Sequence, residues 1–198
     1  MKGSFIPHKD LRELRIIARY RTKQQCMLAS ERNRLHKVLD DAGVRLGNVV
    51  SDINGVTAAG IIDGLINGLS IDKLLDCTRG TLKQKKDELR AELEGELSAR
   101  HIFLLKKIQS HMNYLQIEIN NTDDYLFTAM QPYKKQWEIL QTIPGIDVVS
   151  AALILIEIGV DMQQFGSREQ FCSWAGMCPG NNESAGKKKS GKTPKGSK

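Results

Sequence analysis

An all-α fold is the architecture this 198-residue sequence predicts, and three observations predict it. Apolar residues recur at three- and four-residue steps over long stretches, the spacing of one face of a helix. Aromatics make up only 6% of the residues and prolines number 5, which argues against a many-stranded β architecture. The chain is 40% hydrophobic and 26% charged, so it can bury a core. No apolar run approaches the ~18 residues that a membrane span needs.

The elements follow in order. From about Lys9 to Asp41, Leu11, Leu14, Ile17, Ala18, Leu28, Leu35, Val38 and Leu39 trace a helix face, and Gly43 stands as its stop. Residues 44–55 read as a connector. A short helix is expected over Thr57–Leu69, and Ser70 then caps another through Leu75 that Gly80 closes. The longest periodic signal is Leu82–Met130, carried by Leu82, Leu89, Leu93, Leu97, Leu104, Ile108, Met112, Leu115, Ile119 and Leu126. It predicts one or two long amphipathic helices, as a helical hairpin or as a coiled coil that joins copies of the chain into a homo-oligomer. Gly95 weakens the pattern and marks a bend. His101 and His111 lie ten residues apart in this stretch, the wrong spacing for a metal pair on one helix turn, and read as ordinary histidines. Pro132 marks a boundary. Trp137–Gln141 is a short helical piece, broken at Ile143-Pro144-Gly145-Ile146. Val148–Ile158 is strongly apolar and is expected to form the core of the last domain, where Leu153→Asp should prevent folding. Ser167 followed by Arg168-Glu169-Gln170 reads as a capping box opening a helix through Trp174. These elements group as a basic helical segment (1–43), a helical insert (44–131) and a C-terminal domain (132–198) whose glycine- and lysine-rich end should be flexible.

Charge is distributed unevenly. The formal net charge is +6, and residues 185–198 hold six lysines, among them Lys187, Lys188, Lys189 and Lys192, with no acid. A milder basic excess lies between Lys2 and Lys37. Polyanions are the natural partners of such segments, because each neutralised phosphate releases counterion. The four cysteines, Cys26, Cys77, Cys172 and Cys178, form no CxxC pair, which disfavours a zinc site or a disulfide framework.

Two clusters could carry chemistry. Leu140–Ile146, with Ala151 and Ala152 beyond it, resembles a helix-hairpin-helix, in which Pro144-Gly145 makes the turn and the backbone approaches a DNA phosphate. The stretch Trp174–Thr193 sets hydroxyls among glycines and lysines. Such a loop exposes backbone, holds phosphate oxygens and offers a serine as nucleophile. On chemistry alone, Ser190 is a candidate for that role.

Ile143-Pro144-Gly145-Ile146, Glu157-Ile158-Gly159, Phe165, Trp174-Ala175-Gly176 and Cys178–Lys187, taken together, resemble the C-terminal domain of a family of insertion-sequence transposases. These have an N-terminal DEDD, RuvC-like domain and a C-terminal serine domain, and some are guided by a bridge RNA. The segments Phe5-Ile6-Pro7, Leu11–Leu14, Arg19-Tyr20-Arg21 and Glu31–Lys37 are similar to the family's upstream region. The resemblance implies DNA cleavage and rejoining through a phosphoserine link. Ser184 would be the nucleophile. Lys187, Lys188 and Lys189 would stabilise phosphate charge, with Pro144, Gly145 and Lys192 as further nucleic-acid contacts. It also implies DNA and possible guide-RNA partners, and a cytoplasmic, nucleoid-associated bacterial or archaeal setting. The family's RuvC carboxylates fall upstream of Phe5, so Mg²⁺ is expected only with that acidic domain. The family continues past Lys195-Gly196, and Ser197 stands where an asparagine is usual. The expectation is a truncated transposase, inactive alone. The alternative is a non-catalytic helical protein, derived from a mobile element, that binds DNA or RNA or oligomerises.

Overall fold

The computed structural model describes residues 9–53, 55–76, 78, 80–178, 182–184 and 186–191. The fold is all-α, with one short β-hairpin near the C-terminus. Its helices are α1 (Lys9–Asp41), α2 (Val56–Ile66), α3 (Ile71–Asp76), α4 (Lys86–Glu92), α5 (Ala99–Ala129), α6 (Lys134–Gln141), α7 (Val148–Ile158) and α8 (Arg168–Trp174). Strands β1 (Asn182–Ser184) and β2 (Lys187–Ser190) follow. No helix among the described residues is long and apolar enough to cross a membrane. The chain divides into two compact units. One is Arg19–Tyr125, and the other joins the described residues up to Ala18 with those from Leu126 onward.

In the Arg19–Tyr125 unit, α1 and α5 pack side by side in opposite directions. Arg21 meets Asp123, Gln24 meets Thr122, Glu31 meets His111, and Asp41 meets His101, so the numbers rise along one helix as they fall along the other. Between these polar pairs the seam is apolar: Leu28 packs with Leu115 and Ile119, and Leu35 and Leu39 share a core with Leu105 and Ile108. The periodic stripe on α5 is thereby covered by the chain's own α1. Arg21 holds Asp123 with two hydrogen bonds of 2.8 and 3.0 Å. Both side chains are less than a fifth exposed, so the pair is far better shielded than an ordinary surface bridge. Glu31, 7% exposed, is satisfied from two sides, by Arg34 and by His111 at 3.1 Å.

The remaining elements of this unit build a second layer of core. Leu46, Ile61, Leu74, Leu89 and Leu93 are each no more than 1% exposed and join Leu39 and Leu105. Gly43 ends α1 at φ 77°. A 3-10 turn over Leu46–Asn48 interrupts the connector. Two expectations are corrected here. Gly80, expected to close the helix through Leu75, instead opens a 3-10 turn over Gly80–Lys85, after α3 has ended at Asp76. Leu104, placed in the buried stripe by periodicity, is 44% exposed, and Leu105 is buried in its stead. Both lie in α5, four and three residues before Ile108, and Leu105 is the one that continues the seven-residue spacing of Met112, Ile119 and Leu126 along the face that meets α1.

Gly95 lies in the non-helical stretch 94–98, which separates α4 from α5. A Cβ there would sit 2.4 Å from the Ala42 carbonyl oxygen, 2.5 Å from the Gly43 carbonyl carbon and 2.7 Å from the Val44 nitrogen. The neighbouring backbone is tied by Arg45 N–H donating to the Glu92 carbonyl at 3.0 Å. The glycine therefore permits two backbones to touch, and the bend is a consequence of that approach.

In the other unit, Leu11, Leu14 and Ala18 of α1 form one core with Leu126, Met130, Trp137, Ala151, Ala152, Leu155 and Ile156. Leu153 packs against this core only partly buried, whereas Ile156 is fully buried. An aspartate at Ile156 is thus the more damaging change. Phe165, also buried, sits beside the rings of Phe171 and Trp174 at 5.0 and 5.2 Å, which anchors α8.

Two outcomes test these assignments. Gly95→Ala should cost about 2 kcal/mol in urea unfolding, since the clashing atoms are backbone and cannot rotate away. Asp123→Ala should cost about 2 kcal/mol, whereas replacing Arg21 and Asp123 together by Met and Leu should cost less than the sum of the single changes in a double-mutant cycle.

Candidate nucleic-acid interface

Two clusters are singled out by their chemistry, the Pro144-Gly145 turn and the Ser184 hairpin. The turn joins α6 to α7 through residues 142–147. It is built by local hydrogen bonds. Thr142 Oγ1 donates to the Ile139 carbonyl at 2.8 Å, and Ile146 N–H donates to the Ile143 carbonyl at 3.1 Å. Gly145 takes φ 88°, which an L side chain adopts only with strain, and Pro144 before it pre-sets the turn. Asp147 caps α7, its carboxylate accepting from Ser150 N–H at 2.7 Å. Trp137 straps the two helices together, since its indole N–H donates to the Val148 carbonyl at 2.8 Å. At the far end of α7, Arg15 of α1 donates to the Glu157 carbonyl at 2.6 Å and meets its carboxylate at 2.9 Å.

The result is a rigid helix pair whose tip faces solvent. Thr142 through Gly145 are exposed, with Ile143 at 47% and Val148 at 40%. The inner face carries Ala151 and Ala152, small enough for α6 and α7 to pack closely. Asp147 was not singled out by motif, although an aspartate directly before an apolar run is an N-cap signal. Its charge satisfies the first turn of α7 from within, so the tip presents apolar surface and backbone rather than a ring of cations.

The second cluster is the hairpin. β1 and β2 pair antiparallel, with Ser184 opposite Lys187, Glu183 opposite Lys188, and Asn182 opposite Ser190. The register shifts between Asn182 and Glu183, which leaves Lys189 as the additional residue of a bulge in β2. Gly186 takes φ 73° in the two-residue connection. Lys187 is exposed. The expectation of a flexible segment is thus replaced, over 182–184 and 187–190, by paired backbone. Ser184, Lys187, Lys188 and Lys189 come together on one hairpin, whereas Pro144 and Gly145 stand on a separate element. Lys192 lies outside the described residues.

Helix α8 leads into this hairpin. Ser167 caps it by accepting from Gln170 N–H at 3.3 Å, as the capping box predicts. Glu169 is held below its ordinary carboxylate range by a backbone hydrogen bond first and by the Ser167 hydroxyl second. Cys172 and Cys178 are free thiols. Among the described residues no group of three or more His, Cys, Asp or Glu side chains converges as a metal site would. His101 and His111 each face a carboxylate, Asp41 and Glu31 respectively.

Comparison with known proteins bears on this unit. Residues 137–198 match the model of the Transposase IS116/IS110/IS902 family. No curated protein and no solved structure matches the chain. The match supports an insertion-sequence transposase. Its span opens at Trp137, the residue that straps α6 to α7, and takes in the turn, α7, α8 and the hairpin. Both clusters therefore belong to the segment that matches the transposase family.

The cap and the turn can be separated by substitution. Asp147→Ala should lower stability by about 1 kcal/mol in thermal or urea melting, and Asp147→Asn should retain nearly all of it, because an asparagine side chain still accepts the Ser150 N–H.

Proposed function

We propose that the chain acts in DNA transposition as part of an insertion-sequence transposase, supplying Ser184 as the nucleophile that cuts and rejoins DNA strands, and that it is inactive without the acidic domain. The observation that carries this reading is the coincidence of the transposase-family match with a hairpin that sets Ser184 in register with Lys187 and beside Lys188 and Lys189. In the step proposed, the Ser184 oxygen attacks a backbone phosphorus. One P–O bond to a deoxyribose oxygen breaks as the Ser–O–P bond forms. The serine proton leaves to a base, and the departing deoxyribose oxygen takes up a proton. Rejoining is the reverse attack by a deoxyribose hydroxyl. The lysines offset the charge that accumulates on the phosphate oxygens. The exposed turn at Pro144-Gly145 contributes backbone and apolar contact to the duplex.

The described residues of this chain hold no carboxylate cluster fit for Mg²⁺. The serine chemistry and the DNA contact are this chain's own part in the reaction. A guide RNA and a homo-oligomer belong to the same proposal. The α1-facing stripe of α5 is occupied within the chain, so any self-association uses another surface. In this reading the protein works on DNA in a bacterial or archaeal cytoplasm.

The test is a covalent adduct. In cells carrying the gene with its flanking DNA and complemented with the acidic domain, denaturing extraction should recover DNA attached to the wild-type protein. Ser184→Ala should lose the adduct and strand transfer while keeping DNA binding. An adduct that survives Ser184→Ala but disappears in Ser190→Ala would move the nucleophile to Ser190. No adduct with any variant, alongside intact binding, would favour the non-catalytic alternative.

A further inference from the structure

The basic excess near the start of the chain belongs neither to the turn nor to the hairpin, and it lies outside the family match. Residues 19–37 contain six cations and one acid. The structure sorts them. Arg21 is consumed by Asp123 in the seam, and the one acid, Glu31, is buried between Arg34 and His111. At 3.6 residues per turn, Arg19, Lys23, Ser30, Arg34 and Lys37 fall within an arc of roughly 60°. That arc lies on the far side of α1 from the seam residues Arg21, Gln24, Leu28, Leu35 and Leu39. The burial pattern agrees: all five arc residues are exposed, and Arg34 keeps 63% of its side chain in solvent while bonding Glu31.

An ordinary solvated helix face mixes signs, often as i,i+4 pairs. This one carries a single sign. The acids that follow it are engaged elsewhere, Asp40 with His36 at 2.9 Å and Asp41 with His101 at 3.0 Å. Tyr20 and Met27 flank the arc, 61% and 48% exposed. The cations do not converge on one point, as a pocket for a small anion would require. They form a line of roughly 27 Å at 1.5 Å per residue. A partner that matches a line of positive charge is a line of negative charge, and duplex nucleic acid carries one about every 1.7 Å of axis.

We propose that the outer face of α1, through Arg19, Lys23, Arg34 and Lys37, is a second nucleic-acid contact that tracks the phosphate backbone without reading sequence. It is separate from the Ser184 hairpin and does not depend on the assignment of the nucleophile. Its ligand chemistry is the phosphodiester backbone of a duplex, which DNA or RNA could supply.

The test uses the full chain and two mixed-sequence duplexes of about 20 base pairs, one DNA and one RNA, with affinity followed across salt concentrations. Lys23→Gln/Lys37→Gln spares the seam and should retain native helicity and melting. It should flatten the slope of log K against log salt by about 2 for at least one duplex. Lys187→Gln/Lys188→Gln/Lys189→Gln should flatten it by its own increment, and combining the two sets should add the effects. The duplex with the larger loss identifies the source. An unchanged slope in the folded Lys23→Gln/Lys37→Gln protein would overturn the proposal. So would binding to anionic lipid vesicles that depends on these lysines with none to either duplex. Neither result would touch the covalent-adduct test of Ser184.

Discussion

The antiparallel seam between α1 and α5 is the constraint on which the Arg19–Tyr125 unit depends. Two long helices with apolar stripes could slide past one another by a turn at little cost in apolar burial. Polar pairs at fixed positions prevent it. Slipping one turn would strand Asp123 without Arg21, and Glu31 without His111, in surroundings where an unpaired charge is expensive. The seam thus decides register as well as burial. It also decides which face of α1 is left for solvent. The single-sign arc is outward because the one acid of that stretch is drawn inward.

Much of this fold was legible because helices declare themselves by period. The bounds of α1 and α7 follow from runs of spaced apolar residues, and Gly43, Asp147 and Ser167 sit where stop and cap chemistry would put them. What the pattern could not supply was a choice between neighbours that both fit it. Leu104 and Leu105 are adjacent and equally apolar, four and three residues before Ile108, and packing against α1 decides which is buried. The path of the chain through 94–98 was no more legible, since Gly95 there meets the backbone of residues 42–44, a contact about fifty residues distant in sequence to which no local rule points. Gly80 illustrates the same limit, since a glycine after a helix can end one turn or begin another.

The candidate site was legible in a different way. Pro144-Gly145 announces a turn by stereochemistry, and the structure gives that turn the strap from Trp137 and the cap from Asp147. The hairpin was not foreseen. A run of glycine and lysine offers little to bury, and composition alone points to a mobile segment. Backbone pairing needs no apolar side chains, only a connection such as Gly186 that lets two strands meet. The pairing fixes the backbone of Ser184 opposite that of Lys187, a register that composition does not specify.

The discontinuous unit has a consequence for how the protein is made. Leu11, Leu14 and Ala18 share their core with Trp137 and Ala151, so their partners emerge from the ribosome more than a hundred residues after them. At roughly 5–20 residues per second that wait is on the order of ten seconds. Within it the intervening stretch Arg19–Tyr125, whose core is its own, can fold first. The early apolar residues of α1 are held exposed through that interval and are the part of the nascent chain most in need of a chaperone. The last unit to close is the one that carries the serine hairpin.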